Sequence, residues 1–323
     1  NCELLRVLVQ RSQIRPEQVA GIGICGHGKG VYLWGTDEKP VRNAITSSDN
    51  RAYAYVENWR ADGTEQTVFT LSYQHVMPCQ PVALLAWLQD HEPACIKKIK
   101  WIFSCKDYIR YRMTGEARAE LTDCSGTNFL NLRTRQYDSR LLKCFGLEWA
   151  AEKLPPLCGS TEICGYVTPE AAKCCGLAAG TPVIGGMFDI DACALATGVI
   201  DDSHVCMIAG TWSINEYPRR EPVLDGSVRM NSLFLLPDRY LIEESSATSA
   251  GNNDWFIKKL LPEVKQRAQQ DGVNIYDITN QLAQSVAPET LVPVFLPFLM
   301  GSNVHPNAKG CFVGMTANQD RRH

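Results

Sequence analysis

The chain has no Cys-x-x-Cys pair and no grouping of cysteine with histidine at metal-ligand spacing, although cysteine itself is plentiful, at 14 of 323 residues. A zinc ribbon and a thioredoxin-type dithiol are thereby excluded. Scattered singly, apart from Cys174-Cys175, the cysteines of so long a chain read as reduced, buried thiols rather than a disulfide framework. No apolar run approaches the ~20 residues that cross a bilayer, and the N-terminus lacks the order of a secretory leader. Lysine and arginine form no cluster interleaved with aromatics and the net charge is -3, so no basic field exists for nucleic acid. Gly26-His27-Gly28-Lys29-Gly30 is no Walker loop, because the glycine spacing differs and neither Ser nor Thr follows the lysine. His75, His91, His204 and His305 lack metal-ligand spacing. The expectation is a cytoplasmic protein with no nucleic-acid or membrane partner.

What is present exceeds one ordinary core of roughly 100–200 residues, and 45% hydrophobic content is enough to fill two. Residues 3–9 have helical spacing. The short apolar run from Val19 to Ile24 predicts a strand, Val31 to Trp34 a second and Val41 to Ile45 a third. Ser48-Asp49-Asn50-Arg51 predicts the N-cap of a helix running to about Arg60. Helices are also predicted from Pro81 to Asp90 and from Cys105 to Thr114, the latter stopped by Gly115, with a strand at Trp101-Ile102-Phe103 between them. A Pro/Gly-punctuated connector at 154–169 and a short helix from Glu170 to Leu177 place a domain boundary near 180, giving domains 1–180 and 181–323. The second continues through strands in 204–214 and 229–243, a helix from Asn253 to Lys265 and an apolar strand and loop from Leu291 to Leu299. Strands and helices intermix in both parts, which indicates α/β layers in two domains around a cleft.

Four features carry chemistry. Gly185-Gly186-Met187-Phe188-Asp189, after Pro182-Val183-Ile184, delivers a carboxylate from a strand end to a helix start. Phosphoryl transfer to a hydroxyl needs a carboxylate to take the proton, and Asp189 is either that base or a helix cap, with Asp191 as competitor for both roles. Gly210-Thr211 ends the apolar run from His204 to Ala209, where glycine permits close backbone approach to a phosphate; an ordinary strand-end turn is the alternative. Lys29, in its glycine-flanked loop, is a contact to sugar or phosphate, or a solvated surface lysine. Asp49 and Arg51 either bind hydroxyls as acceptor and donor or pair with each other.

Taken in order, the segments Gly21 to Gly30, Ser47 to Arg51, Asp107-Tyr108 with Met113-Thr114-Gly115-Glu116, Thr122 to Asn128, Gly185 to Asp189, Gly210-Thr211-Trp212 and Leu296 to Ser302 resemble the FGGY family of carbohydrate kinases. The resemblance extends over essentially the whole chain. It implies the actin-like ATPase fold: two ribonuclease-H-like α/β domains, with sugar and MgATP meeting in the cleft between them. It implies Asp189 as catalytic base, Gly28 and Lys29 as the sugar-contacting loop, and Asp49 and Arg51 as its support. Gly210 and Thr211 match the turn that holds the terminal phosphates of ATP, and Gly251, beside Asn252, a nucleotide contact.

The activity so implied is ATP-dependent phosphorylation of a primary hydroxyl on a small ketose or polyol, L-xylulose first, with ribulose, D-xylulose, erythritol or glycerol as other acceptors. A non-catalytic actin-fold module that binds sugar or nucleotide is the alternative, disfavoured by the presence of Asp189. ATP and Mg2+ are the implied cofactors, the Mg2+ ligands being unassigned, and a homodimer is compatible with the pattern. Two family segments are missing. An Asp-Gly-Thr phosphate loop should precede residue 1, and a helix with a glycine pair that encloses adenosine should follow His323. The resulting expectation is a fold truncated at both ends, with little kinase activity in these 323 residues alone.

Overall fold

The computed structural model describes residues 1–210, 213–246, 248–299, 308–320 and 322. Contacts divide the chain into one unit of Asn1–Val205 with Glu216–Glu243, and a second of Cys206–Asn215 with Glu244–His323. The expected boundary near 180 thus falls inside the first unit. Hydrogen-bonded pairing explains the difference. Strand Pro182–Ile184 runs antiparallel to Ile163–Tyr166, with Ile163 opposite Ile184 and Tyr166 opposite Pro182. The next strand, Met187–Phe188, is parallel to Cys25–Gly26. Residues 182–188 are therefore stitched to both earlier parts of the chain, and no break can form before them.

The first unit has two main apolar clusters. In the larger, Val31, Leu33 and Ile45 pack with helix Pro81–His91. Strand Tyr32–Gly35 lies antiparallel to Ile99–Phe103. In the smaller, Leu5 and Val9 of helix Cys2–Ser12 meet Met113, Val167, Ala171, Cys175 and Val183. Arg6 fixes that helix in place, since its guanidinium donates to the carbonyls of Cys174, at 2.6 Å, and Lys173, at 3.3 Å. These are terminal carbonyls of helix Pro169–Cys175, where a cation offsets the negative end of the helix dipole.

The second unit holds helices Ala250–Leu260, Pro262–Asp271 and Ile275–Gln284, packed through Leu261, Val264, Ala268 and Ile278. It also holds an antiparallel pair, Val294–Leu296 with Cys311–Val313.

Four sequence expectations change here. Val19 to Ile24 is no strand: Ile22 forms an isolated bridge to Val183, and the strand is the following Cys25–Gly26. Val41 to Ile45 is no strand: only Val31 with Ile45 and Trp34 with Pro40 form isolated bridges, and Pro40 has no N–H to extend a ladder. The helix expected from Ser48-Asp49-Asn50-Arg51 begins at Tyr53, because the Asp49 carboxylate closes a local turn on the Arg51 N–H at 2.9 Å instead of capping a helix. The single helix expected from Asn253 to Lys265 is two. Leu261 leaves the helical region at φ -122 and ψ 54, and Pro262 opens the next helix, as the steric restriction before proline requires.

Gly186 controls the entry to the candidate site. It adopts φ +76, and a Cβ there would run into the Ile24 carbonyl oxygen. Gly186→Ala combines a left-handed backbone with a clash against main chain, and a loss of about 3 kcal/mol is expected. A urea unfolding midpoint unchanged from wild type would contradict it.

Candidate active site

A buried ion network lies beneath the segment that carries Asp189. Lys106 Nζ sits 2.9 Å from Asp107 Oδ1, 3.1 Å from Glu120 Oε2 and 3.7 Å from Asp123 Oδ2, all four side chains being essentially inaccessible. Arg110 adds a second cation, 2.9 Å from Asp107, and donates to the Gly185 carbonyl at 2.5 Å. Glu120 caps helix Leu121–Ser125 by accepting from the Thr122 and Asp123 amides. It also accepts from the Thr122 hydroxyl at 2.8 Å. That hydroxyl in turn accepts the Phe188 N–H at 2.9 Å. Charge pairing is thereby converted into a fixed position for the Gly185–Phe188 segment, and so for the residue that follows it.

Asp189 is the first residue of helix Asp189–Ala196, with Phe188 at the cap position. Its carboxyl is half-buried. Burial raises its pKa above the ordinary carboxylate value, opposed by His27, the Ile190 amide and Lys29 and reinforced by Glu243. Asp191 differs sharply. It is fully buried, and burial together with Glu120 and Glu216 pushes its pKa far upward. Burial thus favours the protonated form of Asp191 more strongly than that of Asp189, which is the less buried of the two.

Lys29 joins Asp189 at this place. Its ammonium is 3.2 Å from Glu243 Oε1 and 5.5 Å from the centre of the Phe188 ring, a cation–π distance. Burial lowers the pKa of Lys29, but Glu243, Cys79 and Asp189 together outweigh it and the net shift is upward. Gly28 lies directly against the Phe188 ring and the Asp123 carboxylate, and a Cβ there would fall 2.6 Å from the ring. Asp123 is itself raised to about 7, mainly by burial.

Asp49 and Arg51 are bound to each other, with Arg51 Nε 2.9 Å from Oδ1 and Nη2 2.8 Å from Oδ2, and the guanidinium stacks on Trp87. Their link to the lysine loop runs through Cys79, which feels the charge of both Lys29 and Asp49 and accepts the Gly30 N–H on its carbonyl at 2.8 Å.

In the second unit, Gly210 follows strand Cys206–Ala209 and its carbonyl accepts the Ala250 N–H at 3.1 Å. That bond brings Gly210 to the first turn of helix Ala250–Leu260, which contains Gly251. Space beside Gly251 is open. Thr211 and Trp212, and Met300-Gly301-Ser302 of the last motif, lie outside the described residues. A cavity of about 710 Å³ in this unit is lined largely by apolar groups, among them Phe256, Leu282, Phe295 and Phe312.

Two residues of the first unit were not singled out by sequence reasoning. Glu243 comes 214 positions after Lys29 with no local signal. His27 sits in the quoted loop, but its partners Tyr32 and Cys105 could not be inferred from spacing. Gly21-x-Gly23-x-x-Gly26 has the spacing of a dinucleotide fingerprint, yet these glycines precede and enter strand Cys25–Gly26 and open no helix, so the context that gives that spacing meaning is absent. Among the described residues no three His, Cys, Asp or Glu side chains are grouped so as to hold a metal. Among them, too, no helix is long and apolar enough to cross a membrane.

The sequence is similar to known carbohydrate kinases. Residues 2–196 match the family model described as the N-terminal domain of the FGGY family of carbohydrate kinases. The chain is 35% identical over 324 residues to a probable L-xylulose kinase of Pasteurella multocida, covering 99% of this chain and 64% of that protein. It is 35% identical over 322 residues to the L-xylulose/3-keto-L-gulonate kinase of Escherichia coli, covering 99% and 62%. The crystal structure of xylulose kinase from Rhodospirillum rubrum superposes with a TM-score of 0.85 at 26% identity, over 98% of this chain and 63% of that one. The chain therefore spans between 56% and 64% of the length of the curated relatives it matches. With the family model matching well over half of its residues, the chain belongs to the FGGY family of carbohydrate kinases.

Proposed function

We propose that the protein carrying this chain phosphorylates a primary hydroxyl of a small ketose, L-xylulose first, with ATP as donor. The observation that carries the reading is the convergence of Asp189, Lys29 and Glu243. Glu243 Oε1 is taken by Lys29, while its Oε2 is buried and has no hydrogen-bond partner. A buried carboxylate oxygen left unpaired is costly, and a sugar hydroxyl is the donor that would satisfy it. Lys29, held by Glu243, offers its remaining N–H donors to sugar oxygens. Asp189 accepts the proton of the attacking hydroxyl, and its raised pKa makes it a stronger base than a solvent-exposed aspartate.

ATP supplies the phosphoryl group. Gly210 and Gly251, at the strand-end and helix-start positions of the second unit, would line its phosphates, as helix N-termini do. Mg2+ would arrive with those phosphates rather than in a cage of protein ligands. A cytoplasmic location belongs to the same reading and accords with 14 free cysteines.

Isothermal calorimetry tests the sugar site directly. L-xylulose is expected to bind this chain, and Glu243→Gln and Lys29→Met are each expected to weaken binding about tenfold or more, the scale of one lost hydrogen bond to a hydroxyl. Equal affinity in wild type and both variants would remove the sugar from this place. With the intact protein, turnover of ribulose, D-xylulose, erythritol or glycerol at a higher kcat/KM than L-xylulose would replace the substrate.

A further inference from the structure

Beneath the lysine loop, one carboxyl of the buried ion network has no partner of its own. Asp123 lies in the first turn of helix Leu121–Ser125 and is almost entirely inaccessible. Lys106 is 3.7 Å from its Oδ2 but closer to Asp107, at 2.9 Å, and to Glu120, at 3.1 Å. Neither oxygen of Asp123 makes a hydrogen bond, and the buried Ser104 hydroxyl beside it makes none either.

The cluster sets the carboxyls of Asp107, Glu120 and Asp123 against only two cations, Lys106 and Arg110. All of them are buried, and a surplus charge without solvent or hydrogen bonds is too costly to keep. Asp107 is paired with both cations, and Glu120 accepts from the Thr122 and Asp123 amides and the Thr122 and Ser160 hydroxyls. Asp123 is left to take up the proton. Its pKa moves the same way, to about 7, raised by burial first, opposed by Lys106 and reinforced by Asp107 and Glu120. The other titratable groups around it are Cys105 on the preceding helix, Cys124 on its own, His27 and Tyr32 from the loop side, and Asp191 from helix Asp189–Ala196.

What Asp123 touches gives that proton a consequence. Its Oδ1 stands 3.1 Å, and the Phe188 ring 2.6 Å, from the place a Cβ on Gly28 would take, so carboxyl, ring and loop meet at one point. Lys29 comes next in the chain and lies over the same ring. Once ionised, Asp123 could be satisfied only by water or by Lys106. Water would have to part Gly28 from Phe188. Lys106 would have to leave Glu120, whose bond through Thr122 fixes the Phe188 amide. Either route displaces Lys29.

On the sugar-kinase reading above, we propose that Asp123 is a positioning residue, whose protonated carboxyl seats Gly28 against Phe188 and so holds Lys29 in place for the sugar. The seating of the loop itself needs no sugar. The competent form is the protonated one, so affinity is full below about pH 7 and falls as pH rises through it. Asp189 acts on the acid side and in kcat, Asp123 on the alkaline side and in affinity.

Two measurements on the folded chain, from about pH 6 to about pH 8, test the assignment. In amide proton–nitrogen correlation spectra without ligand, the Gly28 and Phe188 signals are expected to titrate with a midpoint near 7. They are expected to stay still in Asp123→Asn, whose side chain reproduces the uncharged form. By calorimetry, the wild-type Kd for L-xylulose is expected to rise about tenfold over this range, as the competent fraction falls, and to stay within about twofold in the variant. Gly28 and Phe188 signals that do not move, or that move equally in Asp123→Asn, overturn the proposal. So does a wild-type affinity that is flat across the range or falls equally in the variant. If the amides titrate as expected while L-xylulose binds at no pH, the positioning of the loop stands and the sugar reading falls. If Asp123→Asn does not fold, the carboxyl carbon signal of Asp123 in the wild-type chain decides, and a midpoint near the ordinary aspartate value of about 4 is the contrary result.

Discussion

Asp189→Asn in the intact protein is expected to lower kcat by about 10²–10⁴-fold, the usual contribution of a positioned general base, while KM for the sugar changes little. Asparagine has nearly the shape of aspartate, so the helix start is preserved and only the capacity to take a proton is lost. The neighbouring carboxyl provides the internal control. Asp191 is fully buried, and burial with Glu120 and Glu216 pushes its pKa well upward and favours the protonated form, so Asp191→Asn is expected to leave kcat within a few-fold.

The pH dependence follows from sign. The base works only when ionised, and burial raises the Asp189 pKa, so activity is lost as pH falls through a value higher than that of a free aspartate. Initial rates of ADP formation across the acid range measure both effects. An asparagine variant that keeps more than a tenth of wild-type kcat would transfer the role to another residue.

Lys106→Met is expected to destabilise the protein by about 3–5 kcal/mol, the range for removing one partner of a buried charge cluster. In a unit of this size that corresponds to a fall in melting temperature of about 10 °C, readable by circular dichroism. The size of the effect comes from what remains. Glu120 and Asp123 lose their nearest cation, and Asp107 retains only Arg110. Methionine fills most of the space of the lysine stem, so a cavity contributes little and the measured change reports charge. Glu120 reaches Phe188 through Thr122, so partial loosening is also expected to displace Asp189 and depress kcat before the protein unfolds. A melting temperature within 2–3 °C of wild type would show that the network relaxes by taking up protons.

Local chemistry was readable along the sequence where one segment determines its own conformation. The helix Cys105–Thr114 and its left-handed stop at Gly115 follow from helical spacing and a terminal glycine. The delivery of Asp189 follows from an apolar run, two glycines and a helix start. Val41 to Ile45 misled because an apolar run specifies burial rather than pairing, and the partner of Tyr32–Gly35 proved to be Ile99–Phe103. Pro262 was in plain view, and the break before it was a matter of weighing proline sterics above apolar periodicity.

Glu243 was unreadable for a different reason. Nothing in Leu241-Ile242-Glu243-Glu244 separates the carboxylate that will face a lysine from its exposed neighbour, because that choice is made by the alternation of the strand and its pairing, with Met230 opposite Glu243.

The route of the chain also limits how the protein can be divided. The first unit is left after Val205, rejoined at Glu216 and left again after Glu243. A gene cut at Val205 would therefore encode Lys29 without Glu243, leaving the ammonium without the carboxylate that holds it. A single proteolytic nick cannot liberate either unit whole. To obtain the first unit as one polypeptide, residues 206–215 must be excised, with 1–205 joined by a linker to 216–243.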